Sequence, residues 1–134
     1  MTGRRALGMT EETTNPDPQK AQVSFGKFQN VDMRVALVVA APLAEGTRFT
    51  SRVLTLDLGP LGERTSVAQF AMVDEADLVG RKVVACINLG GRELGPYTSE
   101  ALTLGTHHPD GPAEESQAVP LYAPDLASPG DQIY

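Results

Sequence analysis

The chain has 134 residues, 11 of them basic and 17 acidic, and its net charge of −6 disfavours partners that require a broadly basic surface. This length is typical of a single domain whose core needs no disulfide or metal ion. No apolar run approaches the roughly 20 residues of a membrane-spanning helix, and the polar residues after Arg4 and Arg5 do not form a signal peptide. The single cysteine, Cys86, favours a reducing, cytoplasmic setting, and we expect it to be a small buried side chain.

Residues 1–24 differ in composition from the rest of the chain. They are rich in Thr, Pro, Glu and Gln and show no apolar periodicity, which predicts a disordered leader. Three basic and three acidic residues cancel within this leader, so the predicted domain, residues 25–134, carries the whole net charge. Any site for an anionic partner must therefore be a local basic patch on an acidic domain.

Alternating apolar residues indicate that the domain consists mainly of β-strands. Strands are predicted over residues 31–39, 51–58, 65–70, 81–89 and 100–104, with a short edge strand at 119–122. The alternation assigns three sets of side chains to the core, namely Val31, Met33, Val35, Leu37 and Val39; Leu54, Leu56 and Leu58; and Val83, Ala85, Ile87 and Leu89. We expect Phe70 to join them.

Two short segments have helical signals. Residues 25–30 predict a turn or a short helix with Phe25 and Phe28 on one face. Residues 73–79 predict one or two helical turns that end at Gly80. Five closely spaced strands with a short helix between the third and the fourth follow the order of an OB-fold. The predicted fold class is therefore an all-β, five-stranded OB-fold barrel, in which closure removes exposed strand edges.

Four separated segments resemble the tRNA-binding domain family. They are residues 28–35 (FQNVDMRV), 66–69 (SVAQ), 95–105 (GPYTSEALTLG) and 123–131 (APDLASPGD). The family includes the C-terminal appendix of methionyl-tRNA synthetase and the stand-alone dimeric protein CsaA. The resemblance implies an OB barrel, a homodimer built partly from terminal extensions, and tRNA binding. Similarity to CsaA also implies an export-related chaperone that binds unfolded polypeptide.

The resemblance further implies six RNA-binding residues. Basic residues of similar sequences correspond to Arg48, Arg52, Arg64 and Arg92, and hydrogen bonds to phosphate or 2′-OH groups are implied for Asn88 and Ser99. Arginines on one barrel face form an electrostatic groove, and their planar guanidinium groups stack on bases. Glu63 and Glu93, each next to one of these arginines, would weaken the local field. The alternative interpretation is that these arginines are ordinary solvated surface residues.

Other constellations do not indicate catalysis. His107 and His108 are adjacent and cannot easily share one tetrahedral ion, and no third histidine completes a set, so we predict a polar loop and no metal site. Residues 90–95 contain glycines but lack the Lys-Ser/Thr pair of a phosphate-binding loop, and no Gly-x-Ser-x-Gly elbow is present. We therefore predict no enzyme activity and no cofactor.

The sequence and the resemblance are compatible with two functions. The first is an RNA-binding module that binds tRNA or a similarly structured RNA through a local basic patch on a dimer. The second is a dimeric chaperone whose exposed apolar groove takes unfolded polypeptide, which an acidic domain would attract when the client is basic. Neither function involves a membrane.

Overall fold

The computed structural model describes residues 17–134, most of whose regular structure is β-strand. Residues 1–16 of the predicted leader lie outside this range, and no helix or strand is assigned to residues 17–24. In chain order the elements are α1 (Phe25–Gln29), β1 (Met33–Ala40), β2 (Arg52–Asp57), β3 (Glu63–Ala68), β4 (Lys82–Cys86), β5 (Arg92–Leu94), β6 (Tyr97–Ser99), β7 (Leu102–Thr103), β8 (Gly105–His107), β9 (Ala118–Pro120) and β10 (Gln132–Ile133). Single 3-10 turns cover Gly59–Leu61, Glu75–Asp77 and Ala113–Glu115.

The short helix α1 forms where the sequence predicts one. Ser24 caps it, because its Oγ accepts a hydrogen bond from the backbone N–H of Lys27 at 3.1 Å, which satisfies one of the free donors of the first turn. The helix buries none of its residues. Within residues 17–134, no helix has the length and apolar character that crossing a membrane requires.

The main sheet has the strand order β3-β2-β1-β4-β7, with every pair antiparallel and β10 added to one end of β1. The two edge strands, β3 and β7, lie next to each other but form no ladder of backbone hydrogen bonds. Instead, the N–H groups of Thr65 and Val67 donate to Glu100 Oε1 at 2.8 Å and to Ser99 Oγ at 3.0 Å, and Glu100 N donates to Thr65 O at 2.7 Å. These bonds nearly close a five-stranded barrel, and the 3-10 turn Glu75–Asp77 lies between β3 and β4, so the predicted OB-fold barrel is confirmed.

The second strand places its apolar side chains as predicted. Leu54, Leu56 and Leu58 are fully buried in the barrel. Phe70 joins the same core, which confirms its predicted position. Cys86 is also buried, as expected for a small side chain in a central strand.

The predicted inward face of the first strand is wrong. Ala36 and Val38, not the odd-numbered residues, pack in the barrel core, and Val39 is exposed. Val35, on the opposite face of β1, is buried as well. The C-terminal segment runs alongside this strand, where Gly130 N donates to Val35 O at 2.7 Å and Val35 N donates to Asp131 O at 2.9 Å. Apolar alternation cannot choose between two buried faces.

One residue of the fourth strand also departs from the prediction. Leu89 is 62% exposed, whereas Val83 and Ala85 are buried in the core as expected. The strand ends at Cys86, so Leu89 lies in the loop that follows.

Candidate nucleic-acid interface

A cleft of about 710 Å³ opens beside the end of β3. The long β1–β2 loop contributes Arg48 and Phe49 to its lining, and β5 contributes Arg92 and Leu94. The floor includes Gln69, just after β3. Two loops that are distant in sequence therefore share one concave surface.

The two loops are held together by a close backbone approach. Gly95 has φ +60°, and a Cβ at this position would overlap the carbonyl oxygen of Gly46. Only glycine fits both the left-handed conformation and the short separation. The Tyr97 hydroxyl also accepts a hydrogen bond from Glu45 N at 3.2 Å. These contacts fix the position of Arg92 relative to Arg48.

Arg48 and Arg92 are exposed side chains at this cleft. The guanidinium carbon of Arg48 lies 5.0 Å from the centroid of the Phe49 ring, within the range of a cation–π contact. Glu93 also lines the cleft, but its Oε2 accepts a hydrogen bond from Thr98 Oγ1 at 3.0 Å. Between residues 17 and 134 the single ion pair joins Arg34 and Asp32, so neither cleft arginine forms an ion pair with a described carboxylate.

Arg52 does not belong to the cleft. Its side chain is 8% exposed and donates to three backbone carbonyls, those of Ala41 at 2.8 Å, Phe70 at 3.2 Å and Val73 at 3.1 Å. The guanidinium group is thereby committed inside the fold. The sequence prediction that Arg52 faces RNA is corrected on this ground.

Ser99 is likewise structural. It is buried, accepts a hydrogen bond from Val67 N at 3.0 Å, and donates to the carbonyl of Ala101 at 3.0 Å. The bond from Val67 belongs to the closure of the barrel, and the burial of Ser99 together with these two bonds holds its hydroxyl inside the fold.

Arg64 and Asn88 lie at the surface but outside the cleft. Arg64 Nη1 donates to the carbonyls of Leu61 at 2.9 Å and Glu63 at 3.2 Å. The Asn88 side chain accepts from Asp32 N at 2.9 Å and donates to Asn30 O at 2.7 Å. Of the six predicted residues, the structure brings together only Arg48 and Arg92.

The segment 28–35 has a structural part in this fold. Arg34 Nε donates to Asp32 Oδ1 at 2.6 Å, and Arg34 Nη1 donates to the carbonyl of Gly130 at 3.1 Å. The hydrogen bond to Asp32 raises the pKa of Arg34 above its ordinary value. The hydrogen bond from Arg34 to the carbonyl of Gly130 holds the C-terminal segment next to β1.

Sequence reasoning missed a buried glutamine that supports the cleft. Gln117 is 1% exposed, its Nε2 donates to Thr50 O at 2.8 Å, and its Oε1 accepts from Ala71 N at 3.2 Å. Thr50 follows Phe49 directly, so this bond helps to position the Phe49 ring that lines the cleft. Glutamine is mostly exposed in proteins, and its sequence neighbours give no sign of burial.

The histidines form no ligand cluster. The side chain of His108 accepts a hydrogen bond from Asp110 N at 3.1 Å through Nδ1, and His107 is exposed in β8. In the described part of the chain, no three His, Cys, Asp or Glu side chains are grouped so that they would hold a metal ion.

Known proteins resemble this chain in sequence and in structure. No protein-family model matches it. Methionine–tRNA ligase from Thiobacillus denitrificans is 35% identical over 119 residues, which is 87% of this chain and 17% of the ligase. The crystal structure of chaperone CsaA from Bacillus anthracis has a TM-score of 0.73 and 29% identity, covering 85% of this chain and all of CsaA. CsaA from Picrophilus torridus, at 24% identity, shares the fold with a TM-score of 0.75 over 84% of this chain and all of that protein.

Proposed function

We propose that this chain, a CsaA-like relative of tRNA-binding-domain proteins, binds tRNA or a similarly structured RNA at the cleft between its two long loops. The observation that carries the proposal is that Arg48, which lies over the ring of Phe49, and Arg92 line the same cleft. OB-folds bind oligonucleotides with the corresponding loops and the adjoining strands. The chain spans 17% of the length of the ligase that it matches.

A small basic patch is sufficient for weak binding. Each arginine that contacts a phosphate displaces condensed counterions, and two such contacts give a slope of log K against log salt of about −1 to −2. The net charge of −6 opposes long-range attraction of RNA, so binding depends on these local contacts. We therefore expect modest affinity that weakens steadily as salt rises.

A filter-binding titration of tRNA at low salt tests the proposal. We expect the double variant Arg48→Glu/Arg92→Glu to bind at least about tenfold more weakly, because two attractive contacts become repulsive. The matched control is Lys20→Glu/Arg81→Glu, which makes the same charge change at exposed positions outside the cleft and outside α1. Absence of tRNA retention by the unaltered protein, or equal loss in both variants, refutes the proposed site.

Exposed apolar side chains at and beside α1 support a surface that binds either a second copy of the chain or, as a second candidate function, an unfolded polypeptide client of a chaperone. We name this surface the α1 patch, formed by Val23, Phe25, Phe28 and Leu89. Phe25 is 73% exposed, and Asn88 ties the loop that carries Leu89 to the end of α1 through its bond to Asn30 O. Large exposed apolar groups mark interaction surfaces. We propose that the α1 patch is the contact of a homodimer, with an unfolded polypeptide client as the alternative occupant.

Chaperone activity is separable from RNA binding. A chaperone would suppress light scattering by a heated client protein, and the charge reversals at Arg48 and Arg92 would leave that suppression unchanged. Unaltered scattering at stoichiometric protein would exclude the chaperone. A cytoplasmic location and the absence of catalysis stay predictions from the sequence.

A further inference from the structure

The side chains of Arg48 and Phe49 form one wall of the cleft, which we name the Arg48 wall. Two hydroxyl groups shape the part of the β1–β2 loop that carries this wall. Thr47 Oγ1 donates to the carbonyl of Phe49 at 2.7 Å, and Ser51 Oγ donates to the same oxygen at 2.9 Å. Both hydrogen bonds lie within the loop, so they fix its local conformation but do not attach it to the rest of the fold.

Gln117 provides an attachment at this point. Within residues 17–134, one hydrogen bond joins residues 47–50 to a residue outside the β1–β2 loop, and it runs from Gln117 Nε2 to Thr50 O at 2.8 Å. The contact of Gly46 with Gly95 holds the other end of the same segment. Without the bond from Gln117, the segment that carries the Arg48 wall would be held at one end only.

The carboxamide of Gln117 has a fixed orientation of its own. Its Oε1 accepts from Ala71 N at 3.2 Å, and its backbone carbonyl accepts from His108 N at 2.9 Å. The next residue, Ala118, lines the cleft and donates through its N–H to Gln69 O at 2.9 Å. A buried carboxamide whose donor and acceptor are both paired is rigid, so Gln117 joins the loop to the turn after β3 and to the β8–β9 hairpin.

A wall that is in place before the RNA arrives favours binding. Arg48 is exposed, and its contact with the Phe49 ring makes the direction of its guanidinium group depend on where that ring lies. An arginine on an already ordered loop gives up less conformational entropy when it binds. Because the chain has a net charge of −6, general attraction of RNA does not compensate for a misplaced arginine in the cleft.

We infer that Gln117 is a positioning residue for RNA binding: by holding Thr50, it keeps the Arg48 wall where it contacts RNA together with Arg92. This inference rests on the proposed function and adds to it a residue that is itself too buried to touch the RNA. It also separates the two cleft arginines, since Arg92 belongs to β5 and should not respond to a change at Gln117.

A double-mutant cycle in tRNA filter binding tests the inference. Gln117→Met removes both side-chain hydrogen bonds and keeps an unbranched side chain of similar length. We expect it to weaken tRNA binding about fivefold, the effect of roughly one hydrogen bond. The same loss should appear in an Arg92→Met background. In an Arg48→Met/Phe49→Leu background it should shrink below about twofold, because the side chains through which Gln117 acts are gone.

A spectroscopic readout follows the Arg48 wall without RNA. The chain contains no tryptophan, so Phe49→Trp introduces a single fluorescent reporter into the wall. Its anisotropy should fall when Gln117→Met is added. The matched control is Ser66→Ala, which loses a buried hydrogen bond that does not involve residues 47–50. It should change neither the anisotropy of the reporter nor the affinity for tRNA.

Gln117→Glu gives a second, more selective variant. The carboxylate keeps an acceptor for Ala71 N but has no donor for Thr50 O, whereas protonation at lower pH restores a donor. We expect weakened tRNA binding at pH 8 and recovery toward pH 5, with each affinity divided by that of the unaltered protein at the same pH. That division removes the contributions of His107 and His108. This variant decides the question if Gln117→Met does not fold.

The outcomes distinguish this inference from the proposed function. Arginine-dependent tRNA binding with an undiminished effect of Gln117→Met in the Arg48→Met/Phe49→Leu background overturns the positioning role and leaves the proposed function in place. Unchanged reporter anisotropy in Gln117→Met, or no recovery of Gln117→Glu at low pH, also overturns it. If the unaltered protein does not bind tRNA, the proposed function fails and the inference fails with it.

Discussion

Arg52 Nη1 donates to the carbonyl oxygen of Ala41 at 2.8 Å inside the fold, whereas Arg48, four residues earlier, lines the cleft. The guanidinium group of Arg52 also reaches the carbonyls of Phe70 and Val73. One side chain thus joins the end of the first strand to the turn after the third. Arginine fits this task because its planar group carries several donors and keeps its charge when desolvated.

Replacement of Arg52 by Met should destabilise the fold without a direct effect on RNA. Three carbonyls lose a charged donor, two of them at bonds that the structure buries, so we expect the free energy of unfolding to fall by about 3 kcal/mol. Urea denaturation measures this loss. The control is Arg48→Met, whose exposed side chain should change stability by less than about 0.5 kcal/mol but weaken tRNA binding. A loss of stability in Arg48→Met, together with an Arg52→Met variant that is stable but binds tRNA weakly, would contradict this assignment.

Gly95→Ala tests the contact between the two loops. The substitution should cost about 2–4 kcal/mol and weaken RNA binding, because the new Cβ meets the carbonyl of Gly46 and pushes the loops apart. Gly90→Ala is a matched control in the same connection: Gly90 also has a positive φ, but a Cβ added there would meet nothing within 4 Å. It should cost only the backbone strain, about 1 kcal/mol. Equal losses in both variants would mean that the close approach has no separate effect.

The hydroxyl pair of Ser66 and Thr103 tests how the barrel is closed. Their oxygens are 2.8 Å apart and both residues are buried. Ser66→Ala or Thr103→Val alone leaves one buried hydroxyl without its hydrogen-bond partner, so each should lower the free energy of unfolding by about 1–2 kcal/mol. The double variant leaves no unpaired hydroxyl and should cost less than the sum, with a coupling energy of about 1 kcal/mol in a double-mutant cycle. Strict additivity would show that the bond contributes nothing to closure.

The sequence predicts the barrel correctly, but it predicts the residues that face the core correctly for the second strand and not for the first. Leu54, Leu56 and Leu58 are assigned correctly because the other face of that strand is more polar, so only one register buries the leucines. The first strand is misassigned because both of its faces carry apolar residues, so that alternation alone does not choose between them. The bulge between Val38 and Ala40 breaks the alternation only at the end of the strand, where Val39 is exposed.

The candidate site is harder to predict because it depends on long-range contacts. Arg48 and Arg52 are four positions apart and look equivalent in the sequence, yet one is exposed in the cleft and the other is buried. The acceptors of Arg52 are backbone carbonyls, which no residue type reveals. The position of Arg92 in the same cleft as Arg48 depends on the packing of Gly95 on Gly46, which is a contact between residues distant in sequence.

The proposed homodimer gives the last prediction. A stable interface removes about 800 Å² from each partner, and α1 contributes exposed apolar side chains without burying any of its own residues in the protomer. Phe25→Ser/Phe28→Ser should therefore convert a dimer to a monomer in sedimentation equilibrium and leave the melting of the barrel nearly unchanged.

Leu43→Ser/Val79→Ser is the matched control, since it removes two exposed apolar side chains outside the α1 patch. It should remain dimeric. A monomeric mass for the unaltered protein would refute the dimer, and dissociation of both variants would place the interface elsewhere. If the dimer forms and offers both clefts to one RNA, the α1 variant should also halve the salt slope of tRNA binding, because the number of phosphate contacts per RNA falls by half.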